Sequence, residues 1–264
     1  MRKILFALFA LTTACASDST TDPDDTNPGD GNGDGDGGGG GGDDPNVSEA
    51  DRQQDYDDVA ASLGAHLSAS ELPIMVDSVD MAFGRMPAGF SFTDTPEARI
   101  LEGTRGGLNL RYELHCHDLA DALTACDGLQ DHSHVDFTYS GVSGSLAGVE
   151  STANWIVRGS QRPRLWILGD GEDVFASNLP TGDYSLALSD TMQHVKFEPT
   201  PLMPVEGSIS IRVAVDRVRP AASPANRTFS VDAIVQFTRD AATLTLDGSR
   251  TYGLDIASGA VTRQ

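Results

Sequence analysis

From Phe90 onward this chain reads as strand after strand, and nothing between the strands has the length and period of a helical crossover. Ile209, Ile211, Val213 and Val215 fall on one face of an extended segment, with Ser210, Arg212 and Asp216 on the other. Phe229, Val231, Ala233, Val235 and Phe237 repeat the alternation. A period of two with one apolar face marks a half-buried strand. Strands without crossovers must pair with their sequence neighbours antiparallel, as a meander. The Gly, Pro, Asn and Asp punctuation delimits strands over 97–104, 108–117, 133–140, 151–158, 163–169, 172–178, 183–189, 192–198, 205–217, 227–239, 242–247 and 250–256. Asp247-Gly248 is a tight hairpin turn. The expected fold is mainly β: an antiparallel meander, as a sandwich or a curled or closed sheet, around one interior. A membrane barrel needs an outward apolar band with aromatic girdles. Here Asp, Arg and Ser fill the polar faces and aromatics make up only 6% of residues, which argues against it.

Helical territory is confined to the segment before these strands. Ser48 followed by Asp51 is a cap with an acidic first turn. Tyr56, Val59, Ala60, Leu63 and Leu67 have the three-and-four spacing of an amphipathic helix ending near residues 66–70. A second short helix is expected from Glu71 to Phe83, with Pro73 in its first turn. His66 lies beside apolar positions and reads as a packing or surface residue.

The amino terminus carries a different message. Arg2 and Lys3 precede a short apolar run from Ile4 to Leu11, then small residues and Cys15, the proportions of an export signal. Leu11-Thr12-Thr13-Ala14-Cys15 resembles the lipobox of bacterial lipoprotein precursors, with Thr12 where that family usually has Leu. The resemblance implies a signal peptide over 1–14, lipidation of Cys15 with palmitate-type chains, and membrane attachment through the lipid anchor alone. Several acyl chains anchor stably where one would not. Ala16, in place of an inner-membrane retention Asp, points to the outer membrane. Residues 15–47 form the lipidated cysteine and a Gly/Asp-rich tether too polar to fold. Asp30-Gly31-Asn32-Gly33-Asp34-Gly35 matches half a calcium loop, but Gly41 stands where its bidentate Glu is required, so a solvated spacer is the better reading. Residues 48–264 are then one β-rich globular domain with a helical start. The net charge of -21 leaves no surface for nucleic acid or anionic lipid.

Chemistry concentrates between Leu108 and Gly141. Leu108, Leu110, Tyr112, Leu114 and Cys116 alternate with Asn109, Arg111, Glu113, His115 and His117, so the cysteine points inward and the histidines toward water. Outside the cytoplasm Cys116 and Cys126 are expected to form a disulfide that pins the hairpin connection. A thiolate metal site or a redox pair is the alternative. His115 and His117 share a face, as do His132 and His134, and a hairpin can bring all four imidazoles to one zinc or copper ion. Asp118, Asp131 and Asp136 are placed to orient them.

Catalytic motifs are sparse. Gly141-Val142-Ser143-Gly144-Ser145 fails the nucleophile-elbow pattern at its last position, and neither a metalloprotease helix motif nor a phosphate loop is present. Gly169–Asp173 reads as a turn between strands, and Trp155 and Trp166 as core residues and not sugar platforms. The folded part is similar to β-rich domains of bacterial envelope lipoproteins, through its Cys…Cys…His/Asp…strand…Gly order and its closing glycine-turn hairpin. That resemblance implies a location and no activity. The leading expectation is a non-catalytic, lipid-anchored envelope protein with a structural, adhesive or ligand-binding role. A metal-binding protein using the four-histidine face comes second, and an extracytoplasmic hydrolase third.

Overall fold

The computed structural model describes residues 47–159, 165–199, 202–239 and 241–264. The export signal, Cys15, the half calcium loop and nearly all of the tether lie outside them. After a helical segment, thirteen strands form one antiparallel sheet. They are β1 (Phe90–Asp94), β2 (Arg99–Arg105), β3 (Leu108–His117), β4 (Leu123–Thr124), β5 (His132–Ser143), β6 (Leu146–Arg158) and β7 (Leu165–Leu179). Then come β8 (Gly182–Pro199), β9 (Leu202–Val218), β10 (Asn226–Phe237), β11 (Ala242–Leu246), β12 (Arg250–Leu254) and β13 (Val261–Arg263). The spatial order follows the chain, except that β4 sits beside the end of β3, so the meander is as expected. It is a single open sheet, with β1 and β13 at its two ends.

Two expected turns are absent. The described part of segment 163–169, from Leu165, and segment 172–178 are one strand, β7, and Gly169–Asp173 lies in its interior, paired with both neighbours. The glycine there marks a bulge. Gly169 has φ 147°, and a Cβ on it would lie 2.2 Å from the Asn154 carbonyl oxygen. Segments 183–189 and 192–198 likewise join into β8, with an irregularity at His194, whose φ is 50°. The short end strands β1 and β13 went unread because neither carries a buried alternating face.

The helical segment is continuous where two helices were expected. Helix α1 (Glu49–His66) passes through a π-helical turn (Leu67–Glu71) into α2 (Leu72–Ala82). Ser48 Oγ accepts from the Asp51 amide at 3.0 Å, capping the start as the sequence suggests. Gly84, at φ 71°, closes the end: its amide donates to the Met81 carbonyl at 2.8 Å. Pro73 explains the interruption. It has no N–H for the Ala69 carbonyl, and its ring crowds the preceding turn, so the helix widens there. Ser143 Oγ on β5 donates to that carbonyl instead, at 3.3 Å.

The helix is buried on two faces. Val59, Leu63, Leu67, Ile74, Met75 and Val79 join an apolar core with the inward residues of the sheet, Trp155 among them. The second face is polar and meets acceptors and donors on the same sheet. Asp55 binds Arg217, Arg219 and Arg227; Asp58 receives Tyr184; Ser62 meets Ser177; Asp77 meets Tyr112 and Arg105. Tyr112 is on β3, whereas Tyr252 on β12 reaches Asp57, so the sheet curls around the helix. Trp166 is half-buried beside His194, with ring centroids 4.8 Å apart, and is not a core residue as the sequence suggests.

Candidate metal centre

The hairpin β3–β5 aligns Leu108 through His117 with Gly141 through His132, so His117 faces His132 and His115 faces His134 across the strands. The connection between them is built from its own side chains. Asp118 Oδ1 accepts the amides of Ala120 and Ala122 at 2.8 and 3.0 Å, a tight Asx-type turn. Asp121 sits at φ 64°, which turns its carboxylate back over the strand ends. The two-residue β4 then pairs with Cys116 and His117, where β2 has ended. Cys116 and Cys126 form the disulfide, with Cα atoms 5.3 Å apart. Arg99 Nη1 donates to the Cys126 carbonyl at 3.1 Å, and Gln130 Nε2 donates to the Ala82 carbonyl at 2.6 Å. These contacts tie the loop to β2 and to the end of α2.

Three of the four imidazoles converge. The rings of His117 and His132 stack at 5.0 Å, and His134 lies 5.1 Å from the first and 5.4 Å from the second. Asp121 Oδ1 is 3.3 Å from His117 Nδ1 and 3.3 Å from His132 Nε2. Asp131 Oδ2 is 3.4 Å from the other nitrogen of His132, the orienting role expected of it. His117 Nδ1 also lies 3.2 Å from the Asp121 carbonyl oxygen. Burial first, and then the neighbouring His117 and His132, hold His134 below the ordinary imidazole range, which favours the neutral ring that coordination needs.

His115 does not join the group. Its Nδ1 is 3.1 Å from the Glu97 carbonyl oxygen, while Nε2 faces Glu113 at 3.4 Å and Asp136 at 3.8 Å. Its place in the cluster is taken by Asp121, an oxygen donor that the sequence did not mark. Nothing in a linear pattern showed that Asp121 turns back to the strand ends; only its neighbour Asp118, a turn former, was a clue. His132 is also not directed toward water: it is 7% exposed, enclosed by His117 and His134. The donor atoms of His117, Asp121 and His132 lie within 4.8 Å of one another, and His134 stands beside them by its ring. With His134 turned in, three imidazoles and one carboxylate would make a tetrahedral zinc set, and the nitrogen-rich part also suits copper(II).

A shallow trough of about 600 Å³ crosses the outer face of the sheet over Arg111, Asp136, Asn154 and Glu172. Comparisons with protein-family models, with curated proteins and with solved structures found no match for this chain.

Proposed function

We propose that this chain is a non-catalytic, lipid-anchored protein of the bacterial outer membrane whose β domain captures zinc or copper at His117, His132, His134 and Asp121. The observation that carries the reading is the meeting of His117 and His132 on the Asp121 carboxylate, with the His134 ring packed beside them, at the end of a disulfide-pinned hairpin. Register alone sets His117 opposite His132; it is the Asp121 carboxylate turned onto both rings, with His134 beside them, that gives the group a donor set. The lipobox-like run ending at Cys15 and the polar tether support the placement: an exported disulfide is stable there, and the site would sample metal outside the cytoplasm.

Metal titration of the chelator-treated protein by calorimetry tests the reading, with zinc and copper(II) run separately. Binding of one ion is expected. The double variant His117→Ala, His134→Ala should abolish that isotherm while His115→Ala leaves it intact. Equal binding by the double variant would refute the site. Mass measurement of the mature chain checks the anchor: loss of residues 1–14 and acyl mass on Cys15 are expected.

A further inference from the structure

The polar face of the helix ends in a second cluster, fully enclosed and separate from the hairpin. His66, at the end of α1, and Glu71, at the end of the π-helical turn, meet Asp173 of β7 and Asp190 of β8. Each of the four is at most 5% exposed. In a regular helix two residues five apart differ by about 500° of rotation, leaving their side chains about 140° from each other. The wider turn that Pro73 enforces closes much of that gap, so His66 and Glu71 can address the same point. Donor atoms of His66, Glu71 and Asp173 lie within 4.8 Å of one another.

The sheet makes room on its side. Gly171 pairs with Asp190, and a Cβ at Gly171 would stand 2.6 Å from Asp190 Oδ1, so only glycine lets that carboxylate lie across β7. Asp173 is held by Tyr139, whose Oη donates to Oδ1 at 2.9 Å, and by Ser151. His66 is fixed by stacking on Phe175 at 4.6 Å and by Ser70, 3.4 Å from its Nδ1. The scaffold is thus well ordered, while the atoms pointing into the centre are not satisfied. Glu71 Oε2 and both Asp190 oxygens are buried without a hydrogen-bond partner in another residue, and His66 Nε2 faces the Asp173 carboxylate at 3.4 Å. Burial and the nearby Asp173 carboxylate hold Glu71 and Asp190 well above the ordinary range, Asp190 at about 7. Three carboxyl groups facing one imidazole in a buried site are costly unless a cation or bound protons compensate them.

We propose that His66, Glu71, Asp173 and Asp190 bind a divalent first-row transition metal ion, taken up as the chain folds and held between helix and sheet. The distance from His66 Nε2 to Asp173 Oδ2 is 3.4 Å, about the edge of a tetrahedron whose arms are about 2.1 Å. One nitrogen and three carboxylates favour manganese, iron(II) or zinc over calcium or magnesium, which rarely take imidazole, and over copper(I), which prefers sulfur. The ion neutralises two of the three acids and gives the unpaired atoms their partner. Its role is structural: it joins the π-helical turn to β7 and β8, and it does not depend on the hairpin site.

The test uses the full chain carrying His117→Ala and His134→Ala, so that the hairpin does not contribute metal. This protein is unfolded in denaturant with chelator, then refolded with chelator or with manganese, iron(II) or zinc, and its metal content and melting temperature are measured. Retention of one ion after dialysis, with a melting temperature higher by about 5 °C or more than in chelator, is expected. Adding Asp190→Asn should remove both the bound ion and the metal-dependent rise. Should Asp190→Asn not fold, the comparison of metal and chelator in its parent decides alone. Refolding to the same melting temperature with and without metal, and no retained ion, would overturn the proposal and leave Glu71 and Asp190 as protonated acids.

Discussion

Ser143 Oγ donates to the Ala69 carbonyl, the acceptor that Pro73 would serve in an unbroken helix. A hydroxyl on β5 therefore stands in for a missing helical N–H. Ser143 is buried and the Ala69 carbonyl partly so, and removing the hydroxyl takes one donor from that carbonyl. Ser143→Ala should lower stability by about 1 kcal/mol in a urea titration, the usual net value of one such bond.

All five tyrosines donate their hydroxyl to an aspartate: Tyr56 to Asp247, Tyr112 to Asp77, Tyr139 to Asp173, Tyr184 to Asp58 and Tyr252 to Asp57. Burial, followed by the adjoining carboxylate, raises each phenol, Tyr56 to about 12 and the other four also upward. The folded value exceeds the unfolded value near 10 for every one. Their contribution to stability is therefore complete below about pH 10 and is lost as pH rises through the folded values. Ultraviolet titration of the native protein should show almost no tyrosinate at pH 10.5, and the absorbance should appear together with unfolding. Normal titration of several tyrosines in the folded state would contradict the pairing.

Asp55 and Arg217 are both completely buried, and Arg219 and Arg227 reach the same carboxylate at 3.2 and 2.8 Å. Truncating the acid leaves three guanidinium groups beside an apolar core with too few partners. Asp55→Ala should cost about 3–5 kcal/mol. The exposed pair Arg212–Asp232 is the control, and Arg212→Ala should leave the urea midpoint unchanged.

Gly64 sets two effects against each other. Alanine gains about 1 kcal/mol in helix propensity. A Cβ there would stand 2.3 Å from the Gly259 carbonyl oxygen and 2.9 Å from Val261 Cγ1, in the loop and strand that close over α1. Backbone displacement of that kind costs about 1–3 kcal/mol and should win. Gly64→Ala is expected to melt at a lower temperature than the native chain.

The alternation of residues 209–215 and 229–237, and the lack of crossovers, made the meander legible before any coordinates, because one buried face imposes a period of two. The apolar stripe of α1 was legible for the same kind of reason. Its polar face was not: Asp55, Asp58 and Asp77 look like solvent-facing acids, and only the sheet supplies their Arg and Tyr partners. Breaks were misread where glycine carries a bulge, as at Gly169, since turn and bulge use the same residue for the same backbone freedom. Of the four histidines marked in the sequence, His117, His132 and His134 cluster, but register alone could not tell that His115 turns toward Glu97. His66 was read as packing, and nothing local marks Glu71, Asp173 and Asp190 as its neighbours, because Pro73 and Gly171 act through geometry.

The disulfide and the hairpin site should fail together. Cys116 and Cys126 are ten residues apart, and cross-linking so short a loop contributes about 2.5–3 kcal/mol in the chain-entropy model. Beyond Cys116 the strand ends are held by the pairing of His117 with His132, by the two-residue β4 and by the contacts of Arg99 and Gln130, and Asp121 hangs on the turn between β3 and β4. Without the covalent link, β4 can leave β3, and Asp121 then loses its place over the two rings. Metal affinity should fall about tenfold in Cys116→Ser, Cys126→Ser, the loss typical when a support of the ligands is removed. The buried cluster of His66, Glu71, Asp173 and Asp190 has no residue in this loop, so its retained ion should persist. A competition titration for zinc on the oxidised and the serine-substituted protein, alongside metal analysis after dialysis, separates the two effects.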